Sequence, residues 1–183
     1  VTERFTGKTL STADLCSAAV TLSDNTAGNL VLASIGGPSG FTQFMQALGD
    51  PKSSLSRWEP DLNEATPGDT RDTTSPNAAV QSLRTLVSGD ALSQDSRQTL
   101  IGWLRDDQVA DQLIRSYLPK SWIIGDKTGA GGHGSRAIIA VIWPPAQQPL
   151  VVAIYITQTT APMTDSNKAI ARIGAVLKDA AAH

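Results

Sequence analysis

Three short polar stretches of this chain carry side chains that can transfer protons. Ser23-Asp24-Asn25 supplies a hydroxyl that both donates and accepts, and Lys127-Thr128-Gly129 supplies an ammonium group. Glu59 and Asn63 lie between them in a polar stretch, where a partly enclosed carboxylate can act as a general base. Cleavage of a strained amide by acyl transfer requires proton-transfer groups of these kinds. The three stretches together indicate that chemistry.

The residues that follow Lys127 offer candidates for binding a reacting oxygen and a charged substrate. Gly129 removes a side chain where a ligand could approach the backbone, so the N–H of Ala130 could point at a developing oxyanion. Arg136 can hold a carboxylate through two hydrogen bonds. Each signal also has an ordinary structural explanation. The first triplet could be a helix cap, Lys127 and Arg136 solvated or paired strand ends, and Glu59 a surface glutamate.

Composition limits the kinds of partner that this protein can have. The 183 residues suit one domain, or one domain and a fragment, and 40% hydrophobic residues allow a substantial core. The net charge of −2 is spread along the chain, so we expect no nucleic-acid binding. No apolar run is long enough for a membrane span. One cysteine, Cys16, and two histidines, His133 and His183, give no set of metal ligands, so we expect no metal and no cofactor.

The order of the predicted elements indicates an α+β fold with an antiparallel sheet. Residues 1–118 are predicted to be mostly helical and to include a long polar loop at 57–72, whose ends carry the opposite charges of Arg57 and Asp72. Residues 119–183 are predicted to form three antiparallel strands and a final helix, together with 1–118 as parts of one catalytic unit. We expect helices near 12–22, 26–35, 41–48, 76–88, 93–106, 109–116 and 165–181, and strands near 121–128, 135–143 and 150–158.

Capping signals and sheet size add further expectations. Ser11 and Asp14 form a capping-box pattern, and Thr164 or Asp165 is expected to cap the last helix. Three strands make a thin sheet, so one edge is expected to need strands from elsewhere. Cys16 is expected to be a small buried residue, or else to pair with a cysteine outside this chain.

The motifs, in this order and at these intervals, resemble those of class A serine β-lactamases across essentially the whole chain. The resemblance rests on the first triplet, on Glu59-Pro60-Asp61-Leu62-Asn63, on Lys127-Thr128-Gly129 and on Arg136. It implies a β-lactamase or penicillin-binding-protein-like fold, with 57–72 as the family's omega loop and a cis peptide before Pro60.

For catalysis, the resemblance implies that Glu59 activates the deacylating water with help from Asn63. It implies that Ser23 passes a proton to the lactam nitrogen, with Lys127 shaping the electrostatics. The backbone of Ala130 would form half of the oxyanion hole.

For binding, the resemblance implies that Thr128 and Arg136 hold the substrate carboxylate, with Asn167 orienting Arg136. Gly129 is a further substrate-binding position. Asn25 would bind the acylamino side chain of a β-lactam. The residues at Gly131 and Gly132, with an unmodified Arg57, resemble those of narrower-spectrum penicillinases.

The family's nucleophile motif, Ser-x-x-Lys, does not occur in this sequence. We therefore expect an N-terminal segment of the same enzyme, of roughly 80 residues, to supply the nucleophile. That segment would be a separate or preceding piece, and it could carry the cysteine partner of Cys16. The resemblance also implies a periplasmic or secreted bacterial protein. Two alternatives stay open: a penicillin-binding D,D-peptidase, and an inactive complementation or binding fragment.

Overall fold

A computed structural model describes residues 1–181, in which six α-helices surround one antiparallel sheet of three strands. His183 lies outside the described residues. The helices are α1 (Thr12–Thr21), α2 (Asn25–Ser34), α3 (Gly37–Ala47), α4 (Pro76–Ser88), α5 (Gln94–Arg105) and α6 (Met163–Ala180), and the strands are β1 (Ile123–Ala130), β2 (Arg136–Trp143) and β3 (Leu150–Ile156). The predicted α+β class and the antiparallel sheet are confirmed.

Side-chain caps fix the starts of the first helices. Ser11 accepts a hydrogen bond from the N–H of Asp14, and the Asp14 carboxylate accepts one from the N–H of Ser11, so the predicted capping box is present. Asp24 caps α2 by accepting from the N–H of Ala27 at 3.0 Å. This cap holds the tight turn between α1 and α2, in which Ser23 has a positive φ of 56°.

Three element boundaries differ from the prediction. α3 begins at Gly37 rather than near Phe41, because Gly36 takes the left-handed conformation and Pro38 fits the first turn. The expected helix at 109–116 reduces to a 3-10 turn at Ile114–Tyr117. The expected caps Thr164 and Asp165 are wrong, since α6 begins at Met163 after Pro162 and has no side-chain cap.

The sheet separates two layers of helices. β2 is the central strand. Its residues Ile138, Ala140 and Ile142 face an apolar cluster that includes Ile114 of the 3-10 turn and Ile170 of α6. The alternate residue Val141 faces the opposite side, where it packs with Leu83, Val87 and Leu104 from α4 and α5. Because successive side chains of a strand point to opposite faces, one apolar strand serves both layers.

The long segment between α3 and α4, residues 48–75, has no α-helix. Its only regular piece is a 3-10 turn at Asp61–Asn63, just after a cis peptide between Glu59 and Pro60. Arg57 donates to Asp72 through Nε at 2.6 Å, and the N–H groups of Ser56 and Arg57 donate to the same carboxylate. The predicted ion pair at the base of this loop is confirmed.

Cys16 lies on α1 and is half-buried, and it is unbridged within residues 1–181. Burial raises the pKa of its thiol. No helix in the described part of the chain is long and apolar enough to cross a bilayer.

Candidate active site

One cleft of about 660 Å³ brings together nine of the ten residues that the sequence singled out. It lies where the α1–α2 turn, the loop at 57–72 and the end of β1 meet. The nine residues that line it are Ser23, Asn25, Glu59, Asn63, Lys127, Thr128, Gly129, Ala130 and Arg136. The tenth, Asn167, lies on α6 behind Arg136 and contacts it there.

Ser23 and Lys127 form the first pair in the cleft. Lys127 Nζ donates to Ser23 Oγ at 2.6 Å and to the carbonyl oxygen of Thr128 at 2.8 Å. Burial lowers the pKa of Lys127, and the carboxylates of Asp107 and Glu59 oppose that shift. The positive φ of Ser23 is a strained backbone state for a residue with a side chain, and such states cluster at functional sites. The turn therefore holds the hydroxyl against the ammonium.

Glu59 and Asn63 form the second pair. Asn63 Nδ2 donates to Glu59 Oε2, so the carboxamide fixes the direction of the carboxylate. The backbone of Glu59 is held separately: Asn29 on α2 accepts from its N–H at 2.9 Å and donates to its carbonyl oxygen at 2.9 Å. Two anchors from different elements thus position one carboxylate in the cleft.

Sequence reasoning missed Asn29, although a signal for it exists. Asn29 follows Asn25 by four residues, so both lie on one face of α2. That face looks toward the cleft, which Asn25 lines. A polar residue in the middle of an otherwise apolar helix, on the face of a site residue, was therefore the available clue.

The turn after β1 also supports the loop, a role that the sequence did not suggest. Gly132 donates its N–H to the carbonyl oxygen of Asn63 at 2.7 Å. A Cβ on Gly131 would lie 2.6 Å from the Asn63 oxygen, and one on Gly132 would lie 2.3 Å from the Glu64 oxygen. Glycine at both positions lets the two backbones approach closely, which keeps Asn63 beside Glu59.

Arg136 stands on the central strand next to the Lys127 strand, as the predicted meander requires. It pairs with Ala130 in the β1–β2 register. Its Nε donates to Asn167 Oδ1 at 2.9 Å and its Nη1 donates to the Gly129 carbonyl at 3.1 Å. Burial lowers the pKa of this guanidinium. The remaining N–H groups of Arg136 face a cleft that can receive an anion.

Gly129, unlike Gly131 and Gly132, is not crowded by a neighbouring backbone. A Cβ at Gly129 would meet only the Cβ of Ala137, at 3.9 Å, which is an ordinary contact. The packing of the chain itself therefore does not demand glycine at this position. The space belongs to the cleft, where an added side chain would compete with a ligand.

A buried ion pair lies behind Lys127, and the sequence analysis did not find it. Arg115 donates to both oxygens of Asp126 at 2.8 Å, and Asp126 is fully buried. Burial raises the pKa of Asp126 to about 6, against the opposing effect of Arg115. Within residues 1–181, no group of three acidic, histidine or cysteine side chains could hold a metal ion.

Comparisons with known proteins agree with this fold. A model of the beta-lactamase enzyme family matches residues 1–181. Beta-lactamase AER-1 of Aeromonas hydrophila is 58% identical over the whole chain, and Beta-lactamase CARB-4 of Pseudomonas aeruginosa is 47% identical over 95% of it. The structure of an ancestral (GNCA) class A beta-lactamase superposes with a TM-score of 0.97 at 49% identity, covering 98% of this chain and 69% of the ancestral chain.

The chain belongs to the beta-lactamase enzyme family, and its fold is that of class A β-lactamases. It spans 60% of the length of these two curated relatives.

Proposed function

We propose that this chain forms part of a class A serine β-lactamase, which hydrolyses the amide of penicillin-type antibiotics through an acyl-serine intermediate. The observation that carries the proposal is the presence of two proton-transfer pairs in one cleft. Ser23 is bonded to Lys127, and Glu59 is bonded to Asn63. Hydrolysis through an acyl-enzyme needs one set of groups to expel the amine and another to activate water.

Glu59 and Asn63 activate the water that removes the acyl group. The carboxylate takes a proton from a water molecule, and the Asn63 carboxamide orients both. This pair favours a hydrolase over a D,D-peptidase, because an enzyme without a positioned base stays acylated. The double hold of Asn29 on the backbone of Glu59 supports this role, since a general base must be kept within hydrogen-bond reach of its water.

Ser23 and Lys127 act on the leaving nitrogen. The Ser23 hydroxyl gives its proton to the lactam nitrogen as the amide C–N bond breaks, and it receives the proton that the attacking serine loses, so it acts as a relay. The Lys127 ammonium at 2.6 Å stabilises negative charge on the Ser23 oxygen during this transfer. It also adds positive charge to the wall of the cleft that meets the substrate carboxylate.

The sheet side of the cleft binds the substrate. The N–H of Ala130 donates to the developing oxyanion, and Thr128 and Arg136 hold the carboxylate. Asn167 fixes the guanidinium through its 2.9 Å hydrogen bond. The open space over Gly129 admits the ligand to the strand edge, and Asn25 on the opposite wall binds the acylamino side chain.

An N-terminal segment of the same enzyme supplies the serine nucleophile, and a β-lactam is the small-molecule partner. Three observations support the segment. The chain has no Ser-x-x-Lys motif, and it spans 60% of its curated relatives. An apolar cavity of about 350 Å³ adjoins the cleft, and Leu62 lines both. Among the described strands, β3 pairs only with β2, which leaves an edge for another strand.

The cavity and the free edge suit one occupant with an apolar helix face and a strand. Met45, Leu83 and Tyr155 line the cavity, which is therefore mostly apolar. A helix seated there could place a serine near Ser23 and Lys127. We further propose that the assembled enzyme works in the periplasm or outside a bacterial cell, where it meets these antibiotics.

Chromogenic β-lactam hydrolysis by the purified chain, with and without the N-terminal segment, tests the proposal. We expect no turnover by the 183-residue chain alone and turnover once the segment is added or fused. A segment whose nucleophilic serine is replaced by alanine should restore binding to the chain but not turnover. Hydrolysis by the isolated chain would show that the nucleophile lies within it and would overturn the assignment.

Two matched lysine variants separate the site from general folding effects. Lys127→Ala should reduce turnover of the assembled enzyme by at least about 100-fold, because one transition-state donor of this kind contributes on that order. Lys120→Ala removes an exposed lysine on the approach to the same strand and should leave turnover unchanged. Equal activity of the two variants would contradict the role given to Lys127.

A further inference from the structure

One large apolar side chain in the cleft has no part in the mechanism above. Of the residues that line the cleft, only Leu62 and Val109 carry a large apolar side chain. Leu62 belongs to the loop of Glu59 and also lines the adjoining cavity. Val109 is 41% exposed, although Asp107 and Ala110 in the same short segment are buried. The Val109 side chain therefore borders the open space of the cleft.

Hydrogen bonds and burial fix the segment that carries Val109. The N–H of Val109 donates to Asp107 Oδ1 at 2.7 Å, and the N–H of Gln108 donates to the carbonyl oxygen of Thr21 at 3.0 Å. Ala110 is fully buried and belongs to the apolar cluster on one face of the sheet. Because three successive residues are anchored in this way, Val109 is held in place before any ligand arrives.

The segment lies between the two elements that carry the pair of Ser23 and Lys127. One of its N–H groups bonds the last residue of α1, two positions before Ser23. The end of α5, where the segment begins, is bound by Arg115, which also binds Asp126 immediately before Lys127. Val109 therefore stands on the side of the cleft that holds the hydroxyl and the ammonium.

The structure of a bicyclic β-lactam determines which part of it meets this side of the cleft. The two fused rings share the lactam nitrogen, and the ring atom next to that nitrogen carries the carboxylate. In the proposed function, the nitrogen lies at Ser23 and the carboxylate at Thr128 and Arg136. The second ring spans these two points and so lies along the side of the cleft where Val109 stands. In a penicillin, this ring carries two methyl groups.

We propose that Val109 contacts the fused ring of the substrate and thereby favours penicillins, whose ring carries two methyl groups, over β-lactams whose ring lacks them. The inference rests on the proposed function and adds the part of the substrate that the valine recognises. Contact between a branched apolar side chain and methyl groups removes apolar surface of both from water, which is favourable in proportion to the area buried.

One protein change combined with one substrate change tests the contact in the enzyme assembled with its N-terminal segment. Val109→Ala removes two methyl groups from the protein, and the substrates are benzylpenicillin and its analogue without the two ring methyl groups. Val109→Ala should lower kcat/KM about tenfold for benzylpenicillin, since an apolar pocket discriminates on that order for one carbon group. For the analogue the loss should stay below about twofold, because the methyl groups that the valine contacts are absent.

Two controls separate the contact from general damage to the site. Val176→Ala makes the same change on α6, at a side chain that is 66% exposed, and should leave both rates unchanged. Ampicillin has the same fused ring as benzylpenicillin and a different acylamino side chain, so Val109→Ala should lower kcat/KM for both by the same factor. Where Val109→Ala folds poorly, Val109→Thr keeps the shape of the side chain. It should show the same difference between substrates, because its hydroxyl loses water on contact with the methyl groups.

Each result decides a separate claim. An equal loss for benzylpenicillin and for the analogue without methyl groups would overturn the contact, because Val109 would then act on the site as a whole. An unchanged kcat/KM for benzylpenicillin in Val109→Ala would overturn it as well. Absence of turnover by the assembled, unmodified protein would overturn the proposed function and the contact together, whereas the first two results leave the proposed function standing.

Discussion

The contribution of the buried Arg115–Asp126 ion pair to the stability of the protein can be measured directly. Arg115 donates to both Asp126 oxygens at 2.8 Å and also reaches the carbonyl oxygens of Leu104 and Arg105 at the end of α5. It thereby joins the 3-10 turn, α5 and β1 immediately before Lys127. Arg115→Met removes the charge and keeps most of the side-chain stem.

The expected cost follows from the burial of the partner that remains. Asp126 is fully buried, whereas the Arg115 side chain is 19% exposed. Removing one member of a buried pair costs about 3–5 kcal/mol, because the other charge stays without a partner. Since Arg115 has some access to water, we expect the free energy of unfolding to fall by ~3 kcal/mol at pH 7.

The cost should depend on pH in a defined direction. The pKa of Asp126 is already raised to about 6, and loss of Arg115 raises it further. When a carboxyl has a higher pKa in the folded than in the unfolded state, the free energy of unfolding falls as pH rises through the range between the two pKa values. The fall is up to ~1.4 kcal/mol per pH unit, and it ends once the carboxyl is ionised in the folded state. The unmodified protein stops losing stability above about pH 6, but the variant continues. The difference between them should widen from pH 5 to pH 8.

Urea unfolding at pH 5, 6, 7 and 8, followed by tryptophan fluorescence and circular dichroism, measures this difference. Arg105→Met changes an exposed arginine at the end of α5 and serves as the matched control. The double variant Arg115→Met/Asp126→Leu should recover most of the loss, because it removes both members of the pair and leaves neither without its partner. A loss under about 1 kcal/mol, or one that is equal at every pH, would refute the reasoning.

Three further predictions concern the loop, the guanidinium and a buried turn. Glu59→Ala in the assembled enzyme should trap the acyl-enzyme, seen as a stable penicillin adduct by intact mass, whereas the exposed control Asp61→Ala should show none; no adduct in Glu59→Ala would count against its role as base. Asn167→Ala should raise KM about tenfold with a smaller effect on kcat, because Arg136 loses a charge-assisted hydrogen bond of about 1.5 kcal/mol. A tenfold fall in kcat with an unchanged KM would contradict a role of Asn167 in substrate binding. Asp50→Ala should lower the free energy of unfolding by ~2 kcal/mol at pH 7 in a urea titration. The pKa of Asp50 is held below its usual value, since hydrogen bonds from Ser53 and its neighbours outweigh burial. This cost should therefore shrink as pH falls below about 4, and a constant difference would exclude a charged acceptor.

The local features of the fold followed from sequence because they depend on neighbours along the chain. The capping box at Ser11 and Asp14 involves residues three apart, and the helix after Ser75 starts with a proline that fits its first turn. The strand segments were found because Ile and Val dominate them. The boundary at α6 was missed, since polar residues that resemble caps follow a proline that already begins the turn.

The partners within the site were harder to predict when they were held by backbone contacts. Asn29 binds the backbone of Glu59 across 30 positions, and Gly131 and Gly132 make room for the loop. The sequence interpretation took these glycines only as signs of substrate range. Nothing in a local pattern states that two backbones will approach within van der Waals contact, because that distance is set by packing of distant segments.

The sequence by itself determined which chemical groups are available. They are a hydroxyl at Ser23 between two helices, a carboxylate at Glu59 in a long loop and an ammonium at Lys127 near the end of a strand. The tertiary structure alone decided which of them touch. Ser23 and Lys127 are 104 positions apart yet bonded at 2.6 Å, and Arg115 pairs with the fully buried Asp126 at 2.8 Å. The physical reason is that helix and strand patterns repeat every few residues and can be read locally, whereas burial and charge pairing depend on how the layers pack.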